Sequence, residues 1–231
     1  MELQQNLDLI FDVDAVLRGQ GADATILRAR RPGLVKVAEE AMQESFSLLT
    51  PKVIYKEFAV EGVQHERLLL QGGQRLESKL LAQHMGTANR IIIILATIGE
   101  RLEERVSEIW DANMVYALAL DGAGSAAVEA LANAACEYFE KQAAEEGLET
   151  TIPFSPGMVD WSVSDGQPQI FDLLSEAGSI VHLTSSYIMV PRKSLTTVMG
   201  IGTELKSSDR VCDYCLMSTT CRYQEHHSAI G

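Results

Sequence analysis

Three cysteines close to the C-terminus have the spacing of a metal site. Cys212, Cys215 and Cys221 form a C-x-x-C-x5-C pattern in a chain of 231 residues. A C-x-x-C pair lets two thiolates reach one metal without straining the backbone, and five intervening residues can return a third thiolate to the same centre. Thiolates are the ligands of iron–sulfur clusters and of many zinc sites. The sequence therefore predicts a metal or iron–sulfur centre on these cysteines.

The pattern leaves the identity of the centre and its fourth ligand open. A 4Fe-4S cluster usually takes four thiolates, and Cys136 is the one other cysteine in the chain. Its place in an alanine-rich predicted helix is equally typical of a small buried residue. Zinc is the second candidate, with His226 or His227 as fourth ligand. Unmetallated cysteines, or a redox-active C-x-x-C pair, are the remaining alternatives.

The composition excludes several classes of protein. The chain carries 19 basic and 32 acidic residues, for a net charge of −13. Non-specific nucleic-acid binding depends on Lys and Arg, so this balance argues against it. No window approaches ~20 apolar residues without charge, and the acidic N-terminus lacks the layout of a secretory signal. We expect a cytoplasmic protein with no membrane span, in which a cysteine cluster indicates a metal or redox site rather than disulfides.

Hydrophobic periodicity predicts a mixture of helices and strands. We expect helices at residues 12–18, 32–49, 76–89, 99–120, 125–146 and 167–176. We expect strands at residues 53–60, 67–70, 90–97, 180–189 and 194–202. Residues 90–97 are apolar without alternation, which is typical of a central strand buried on both faces.

The glycines at residues 121–124 (DGAG) predict a break between two long helices, with close helix packing as the alternative. The whole pattern indicates an α+β domain over residues 1–203 and a small metal-binding tail over residues 204–231.

The second half of the chain carries a collinear series of motifs. A proline–glycine loop (PFSPGMVDW, residues 153–161) precedes a short helix containing IFDLL, and VHLTSSYIMVPRKS follows at residues 181–194. In this order they resemble the activation domain of cobalamin-dependent methionine synthase, which the preceding long helices also fit. The resemblance covers residues 12–202, with the cysteine tail outside it. It implies a twisted antiparallel sheet with flanking long helices.

The resemblance also implies ligands. In that family the domain binds S-adenosylmethionine and docks onto the cobalamin domain during the reductive methylation of inactive cob(II)alamin. The family's R-x-x-x-G-Y loop holds the S-adenosylmethionine carboxylate through its Arg, but here Pro153 and Met158 replace the Arg and the Tyr. A glutamate of the family's long helix is replaced near Asn133. Proline offers no donor to a carboxylate, so these departures argue against S-adenosylmethionine binding.

Contact with a corrinoid is the other function that the resemblance implies, and the departures at Pro153 and Met158 do not argue against it. The loop of Gly157 would face the corrin ring, because glycine permits a close backbone approach. Met158 and Trp161 would offer apolar surface, and Ser155 and Asp160 would hydrogen-bond the amides of the macrocycle. The neighbouring strand begins with four further candidates for the same cleft: Thr184, Ser185, Ser186 and Tyr187.

Together, the cysteine pattern and the family resemblance predict a corrinoid-interacting iron–sulfur protein of anaerobic methyl metabolism. It would be a reductive activator, or electron-transfer partner, of a cobalamin-dependent methyltransferase system. Cubane clusters can reach about −700 mV at their low extreme, which suits the reduction of cobalt. The expected partners are a corrinoid protein or methyltransferase, a low-potential electron donor and, as a further candidate, a second copy of the chain. The chain lacks a G-x-x-x-x-G-K-[ST] loop, so coupling to a nucleotide is not expected.

Two other functions stay open. One is a corrinoid carrier or assembly module in which the metal is purely structural. The other is an S-adenosylmethionine-binding methyl transfer domain. The sequence alone predicts no catalytic residue for any of these functions.

Overall fold

A computed structural model describes residues 1–3, 7–175, 177–205 and 210–216. Its helices are α1 (Val13–Gly19), α2 (Ala24–Arg30), α3 (Pro32–Ser45), α4 (Lys79–Met85), α5 (Arg101–Ile109), α6 (Met114–Glu145) and α7 (Val163–Leu173). Its strands are β1 (Lys52–Gln64), β2 (Arg67–Leu70), β3 (Gln74–Glu77), β4 (Arg90–Thr97), β5 (Glu149–Thr150), β6 (His182–Leu183), β7 (Met189–Val190) and β8 (Ser194–Gly202).

Six of the strands form one antiparallel sheet in the order β3-β2-β1-β4-β8-β5, and β6 and β7 form a separate hairpin. The central strand β4 is buried on both faces, as its apolar run predicts. Ile92 and Ile94 enter one apolar cluster, while Ile91 and Ile93 enter another. Since successive side chains of a strand point to opposite faces, these two clusters lie on opposite sides of the sheet. The predicted α+β class is confirmed.

The two faces are covered by different helices. Side chains of α5 and α6 pack in the first cluster with Ile92 and Ile94, and α3 contributes Ala41. Side chains of α4 and α7 pack in the second cluster with Ile91 and Ile93. This arrangement matters for the functional site, because the motifs of the second half of the chain lie on the α4–α7 face.

The long helices differ from the sequence prediction in where they break. The predicted break at residues 121–124 is wrong, because α6 runs through them without interruption. The chain turns earlier, at residues 110–113, where the Asn113 side chain accepts a hydrogen bond from the Tyr116 amide and caps α6. Gly122 instead provides close helix packing, which was the alternative: a Cβ there would lie 2.6 Å from the Val16 carbonyl oxygen of α1.

Three further elements differ from the prediction. The helix α2 was not foreseen, although Asp23 caps it by accepting a hydrogen bond from the Ile26 amide. The predicted helix at residues 76–89 is preceded by β3, and it begins only after Ser78 caps α4. The predicted strand at residues 180–189 is the short hairpin of β6 and β7, because the chain reverses between Thr184 and Ile188.

The helix α6 is long and apolar enough to cross a membrane by length and composition alone. Its most apolar window is 56% buried inside the domain, where it packs on the sheet and on α1, α3 and α5. These contacts are those of a core helix.

A polar cluster joins the helices α3, α5 and α6 on the face of the sheet opposite α4 and α7. The Tyr116 hydroxyl of α6 donates to one Glu44 carboxylate oxygen at 2.7 Å, and Arg105 Nε of α5 donates to the other at 3.0 Å. The hydrogen bond from Tyr116 is the main cause that lowers the Glu44 pKa below its usual value; burial opposes it, and Arg105 adds to it. Burial, assisted by Glu44, raises the Tyr116 pKa to about 12, so the phenol keeps its proton at neutral pH.

We expect Tyr116→Phe to lower the free energy of unfolding by about 1 kcal/mol at neutral pH. A carboxylate whose folded-state pKa lies below its unfolded value of 4.5 stabilises the fold above that value, and its contribution is lost as pH falls through the folded pKa. Because the variant loses the main cause of this shift, its deficit should shrink as pH falls below 4.5. Urea unfolding from pH 7 to pH 3 measures this dependence.

The matched control is Tyr138→Phe, which removes a hydroxyl that accepts an exposed hydrogen bond from Gln142. This variant should stay within about 0.5 kcal/mol of the wild type at every pH. A Tyr116→Phe deficit of the same size at pH 7 and pH 3 would contradict the role given to Glu44.

Candidate functional site

The loop of residues 153–161, called the glycine loop below, is fixed to the sheet at its start. The Phe154 amide donates to the Val198 carbonyl of β8 at 2.9 Å, and the Val198 amide donates to the Phe154 carbonyl at 2.8 Å. The Phe154 ring is fully buried on the α4–α7 face. The loop therefore leaves the sheet from a rigid attachment on β8.

The rest of the loop closes on itself around Gly157. The Gly157 amide donates to the Trp161 carbonyl at 2.8 Å, and the Trp161 amide donates to the Met158 carbonyl at 3.1 Å. The Ser155 amide lies 3.4 Å from the Met158 sulfur, which accepts from it. Gly157 has a φ of 103°, a conformation that favours glycine. The predicted proline–glycine loop is thus present, and its own backbone hydrogen bonds close it.

Trp161 lies beneath the loop rather than on its outer surface. Its side chain is only 2% exposed and belongs to the core on this face. The helix α7 approaches it closely because residue 166 is glycine: a Cβ there would lie 2.8 Å from the Trp161 ring and from Pro156. The expectation that Trp161 offers its ring to a ligand is therefore corrected, since in this structure the ring supports the loop from below.

Within the described part of the chain, the Trp161 indole nitrogen is buried without a hydrogen-bond partner. We expect Trp161→Phe to change the free energy of unfolding by less than about 1 kcal/mol, because removing an unsatisfied N–H offsets the lost contact area. Trp161→Ala should cost about 3 to 5 kcal/mol by opening a cavity. Urea denaturation measures both variants. A Phe variant as unstable as the Ala variant would show that the indole nitrogen has a partner.

An open polar cleft of about 1260 Å³ lies beside the glycine loop. Asp160 of the loop and Tyr187 of the β6–β7 hairpin line it, so two residues predicted from separate motifs share one cleft. Asp160 forms an ion pair with Lys79 at 3.4 Å. The other lining residues come from the β1–β2 turn, the junction of β3 and α4, and the first turns of α7: His65, Glu66, Arg67, Glu77, Ser78, Lys79, Ser164, Asp165, Pro168 and Gln169.

The cleft also concentrates unusual backbone conformations. In the described part of the chain, the non-glycine residues with positive φ are His65 (58°), Asp160 (59°) and Tyr187 (61°). All three line the cleft, although they come from three separate segments. Such conformations cost energy, and they cluster at functional sites where the surrounding structure holds them in place. The strain therefore marks the cleft as a candidate site independently of the sequence motifs.

The remaining hairpin candidates form the tip rather than the cleft lining. The Thr184 hydroxyl accepts a hydrogen bond from the Ile188 amide at 3.1 Å and closes the turn. Ser185 and Ser186 are exposed. Thr184, Ser185 and Ser186 are absent from the cleft lining as the described residues define it. The structure thus brings Tyr187 to the cleft and places the other three beside it.

The segment of residues 210–216, called the cysteine turn below, packs directly on the glycine loop. Val211–Tyr214 form one turn of 3-10 helix, and the Cys215 amide donates to the Cys212 carbonyl at 3.3 Å. The Val159 amide donates to the Tyr214 carbonyl at 2.9 Å, and Met158 pairs with Cys215 in an antiparallel bridge. Cys215 therefore lies against the glycine loop, and Cys212 lies in the same turn.

The predicted metal centre extends beyond the part of the chain that the structure describes. Cys221, His226 and His227 lie outside it. Among the described residues, no group of three or more His, Cys, Asp or Glu side chains is arranged to hold a metal ion. A centre on Cys212, Cys215 and Cys221 therefore stays a prediction.

Cys136 is not brought to the other cysteines. It lies in α6 within the apolar cluster on the opposite face of the sheet from Tyr214 and Met158. Burial, followed by the nearby Glu140 and Glu137, raises the pKa of its thiol to about 12. A buried thiol of this kind is a poor source of thiolate, so its proposed part as fourth ligand is corrected to that of a core residue.

Comparison with known proteins supports the fold alone. No known family matches the chain, and no curated protein matches it in sequence. The fold, however, resembles that of a solved structure. It is similar to the crystal structure of the MetH reactivation domain bound to AdoHcy, with a TM-score of 0.54 and 16% sequence identity over 85% of this chain and 73% of that chain. This similarity supports the resemblance found in the motifs, while the AdoHcy belongs to that protein.

Proposed function

We propose that this chain contacts a corrinoid protein and delivers electrons to it through a centre bound by Cys212, Cys215 and Cys221. The main support is the backbone pairing of Tyr214 and Cys215 with the glycine loop, which holds Cys215, and with it the C-x-x-C turn, beside the expected corrin-facing surface. The protein is then a reductive activator, or electron-transfer partner, of a cobalamin-dependent methyltransferase system in the cytoplasm.

The surface around the glycine loop fits a flat macrocycle with amide side chains. Exposed apolar side chains stand on the loop, on the start of α7 and on the hairpin tip: Val159, Val163, Tyr187 and Ile188. Exposed apolar patches mark interaction sites, and we propose that these side chains contribute to one. The cleft beside it supplies carboxylates, hydroxyls and Lys79 that can hydrogen-bond amides.

The cysteine turn also fits a soft metal or an iron–sulfur cluster. Its 3-10 geometry keeps the two cysteines on one short turn, and thiolates select zinc and iron–sulfur clusters over harder ions. An iron–sulfur cluster bound there would supply a low-potential electron. The chain's own part is to hold the thiolates and to present them at the glycine loop.

The test is anaerobic purification followed by metal and sulfide analysis, then titration with cob(II)alamin. We expect ~4 Fe and ~4 sulfide per chain for a cubane cluster. With titanium(III) citrate as electron donor, the loaded protein should accelerate the one-electron reduction of cob(II)alamin to cob(I)alamin, followed by its absorption. A colourless, zinc-loaded protein would contradict the electron-transfer function.

A corrinoid carrier with a structural metal is the second candidate, because the cysteine turn packs on the loop whether or not electrons flow. It predicts binding of cob(II)alamin with no acceleration of its reduction. The same titration therefore separates the two functions.

Binding of S-adenosylmethionine is a third candidate, raised by the AdoHcy in the similar structure. Pro153 opposes it, since it supplies no donor for the ligand's carboxylate. Calorimetry with S-adenosylmethionine should show no binding. Tight binding would assign the cleft to that ligand.

A further inference from the structure

Tyr214 stands between the two cysteines of the cysteine turn and is held by two other segments of the chain. Its ring centroid lies 4.8 Å from that of His84 in α4, in an edge-on arrangement. It lies 5.4 Å from that of Phe154 in the glycine loop, also edge-on. The His84 and Phe154 rings contact each other at 5.1 Å, so the three rings form one cluster. Aromatic pairs in such geometries stabilise a structure beyond the area they bury.

The backbone on both sides of the ring is tied to the glycine loop. The Tyr214 carbonyl accepts from the Val159 amide, and Cys215 pairs with Met158. The Phe154 ring that Tyr214 touches belongs to the same loop. A backbone pairing and a ring contact therefore join the cysteine turn to the loop.

The turn is also ordered internally. The Arg210 amide donates to the Asp213 carboxylate at 3.2 Å, and the Arg210 guanidinium donates to the same carboxylate at 3.2 Å. These bonds join Arg210 and Asp213, which flank Cys212 in the sequence. The Cys215 amide also donates to the Cys212 carbonyl. The C-x-x-C backbone thus has a defined turn geometry.

We propose that Tyr214 is the anchor that pre-orders the C-x-x-C turn on the glycine loop, so that metal binding and loop conformation are coupled. An unanchored turn loses conformational freedom when it binds a metal, and this cost lowers affinity. The anchored turn avoids most of it. By thermodynamic reciprocity, a metal that favours the ordered turn also stabilises the docked glycine loop. Loading of the centre would then slow the opening of the glycine loop. The coupling to metal rests on the proposed function, whereas the anchoring of the turn by Tyr214 does not.

The test compares Tyr214→Ala with two other variants of the full chain. His84→Ala removes the ring that Tyr214 contacts in α4 and leaves the amino-acid sequence of the cysteine turn unchanged. Leu216→Ala is the matched control, because Leu216 lies in the same turn and is 66% exposed. Binding of Co²⁺, followed under anaerobic conditions by thiolate-to-cobalt absorption, gives the affinity. Hydrogen exchange of residues 153–161 gives the state of the loop with and without Co²⁺.

We expect Tyr214→Ala and His84→Ala to bind Co²⁺ about tenfold more weakly than the wild type, and Leu216→Ala to bind within about twofold. In the wild type and in Leu216→Ala, Co²⁺ should slow exchange in residues 153–161, and in the two anchor variants this effect should be lost. Without metal, exchange in these residues should already be faster in the anchor variants.

Unchanged Co²⁺ affinity in both anchor variants would overturn the coupling. A wild type that binds no Co²⁺ would count against the metal centre of the proposed function, and the exchange of the metal-free proteins would then decide the anchor alone. If Tyr214→Ala and His84→Ala leave exchange in residues 153–161 unchanged, Tyr214 is not an anchor.

Discussion

Replacing Cys215 by Ser is expected to remove the metal or cluster and with it the reduction of cob(II)alamin. A serine hydroxyl stays protonated at neutral pH and cannot replace a thiolate ligand, whereas the cysteine must be deprotonated to bind. We expect iron and sulfide per chain to fall by about tenfold or more. Binding of cob(II)alamin should be retained within about twofold, because Cys215 pairs with Met158 through its backbone.

The matched control for Cys215→Ser is Cys136→Ala. Cys136 is buried in α6 on the other side of the sheet, among alanines and other apolar side chains. Its replacement should leave iron, sulfide and reduction unchanged. Loss of the cluster in Cys136→Ala with a stable fold would restore Cys136 as a ligand, and a Cys215→Ser variant with full iron content would remove the centre from the cysteine turn.

Gly122→Val is expected to lower the free energy of unfolding by about 2 to 3 kcal/mol. The helices α1 and α6 cross at Gly19 and Gly122, where a Cβ on either residue would lie within 2.6 Å of a backbone carbonyl oxygen of the other helix. A backbone atom cannot rotate away as a flexible side chain can, so the helices must separate. Separation also disturbs Val16, Leu17 and the small apolar cluster that they form with α3. Thermal and urea unfolding measure the effect.

Gly33→Ala is the matched control for Gly122→Val. Gly33 lies in the first turn of α3, with open space where the Cβ would stand. Alanine there should leave stability unchanged or raise it by up to about 1 kcal/mol, because it restricts the unfolded chain. Equal losses in both variants would contradict a packing role for Gly122 and indicate a general intolerance of the helices.

The sheet and the break in the helices illustrate what local sequence can predict. The strand β4 was foreseen from its apolar, β-branched run, and β8 was foreseen from the alternation of its residues. The glycines at residues 122 and 124 have two, a break or a close contact, and only the position of α1 decides between them. A residue far along the chain supplied that information, so no local pattern could.

The candidate site likewise contains some residues that the sequence predicted and others that it did not. Asp160 and Tyr187 were predicted from motifs, and the structure places both in one cleft. His65, Lys79 and Asp165 were missed as cleft residues, since each is an ordinary charged or polar residue that gains a role only when separate segments meet. Trp161 was expected at the surface, and Gly166 explains why it is buried: the glycine lets α7 cover the ring. The packing of Tyr214 on the loop had no sequence signal, because it depends on rings from α4 and the loop.

The central position of β4 has a consequence for biosynthesis. Its two neighbours are β1, which precedes it, and β8, which follows it by about a hundred residues. At roughly 5 to 20 residues per second, translation leaves the β8 edge of β4 open for about 5 to 20 s. During that time an isoleucine-rich strand presents unpaired amides and carbonyls on the nascent chain, which is a template for aggregation.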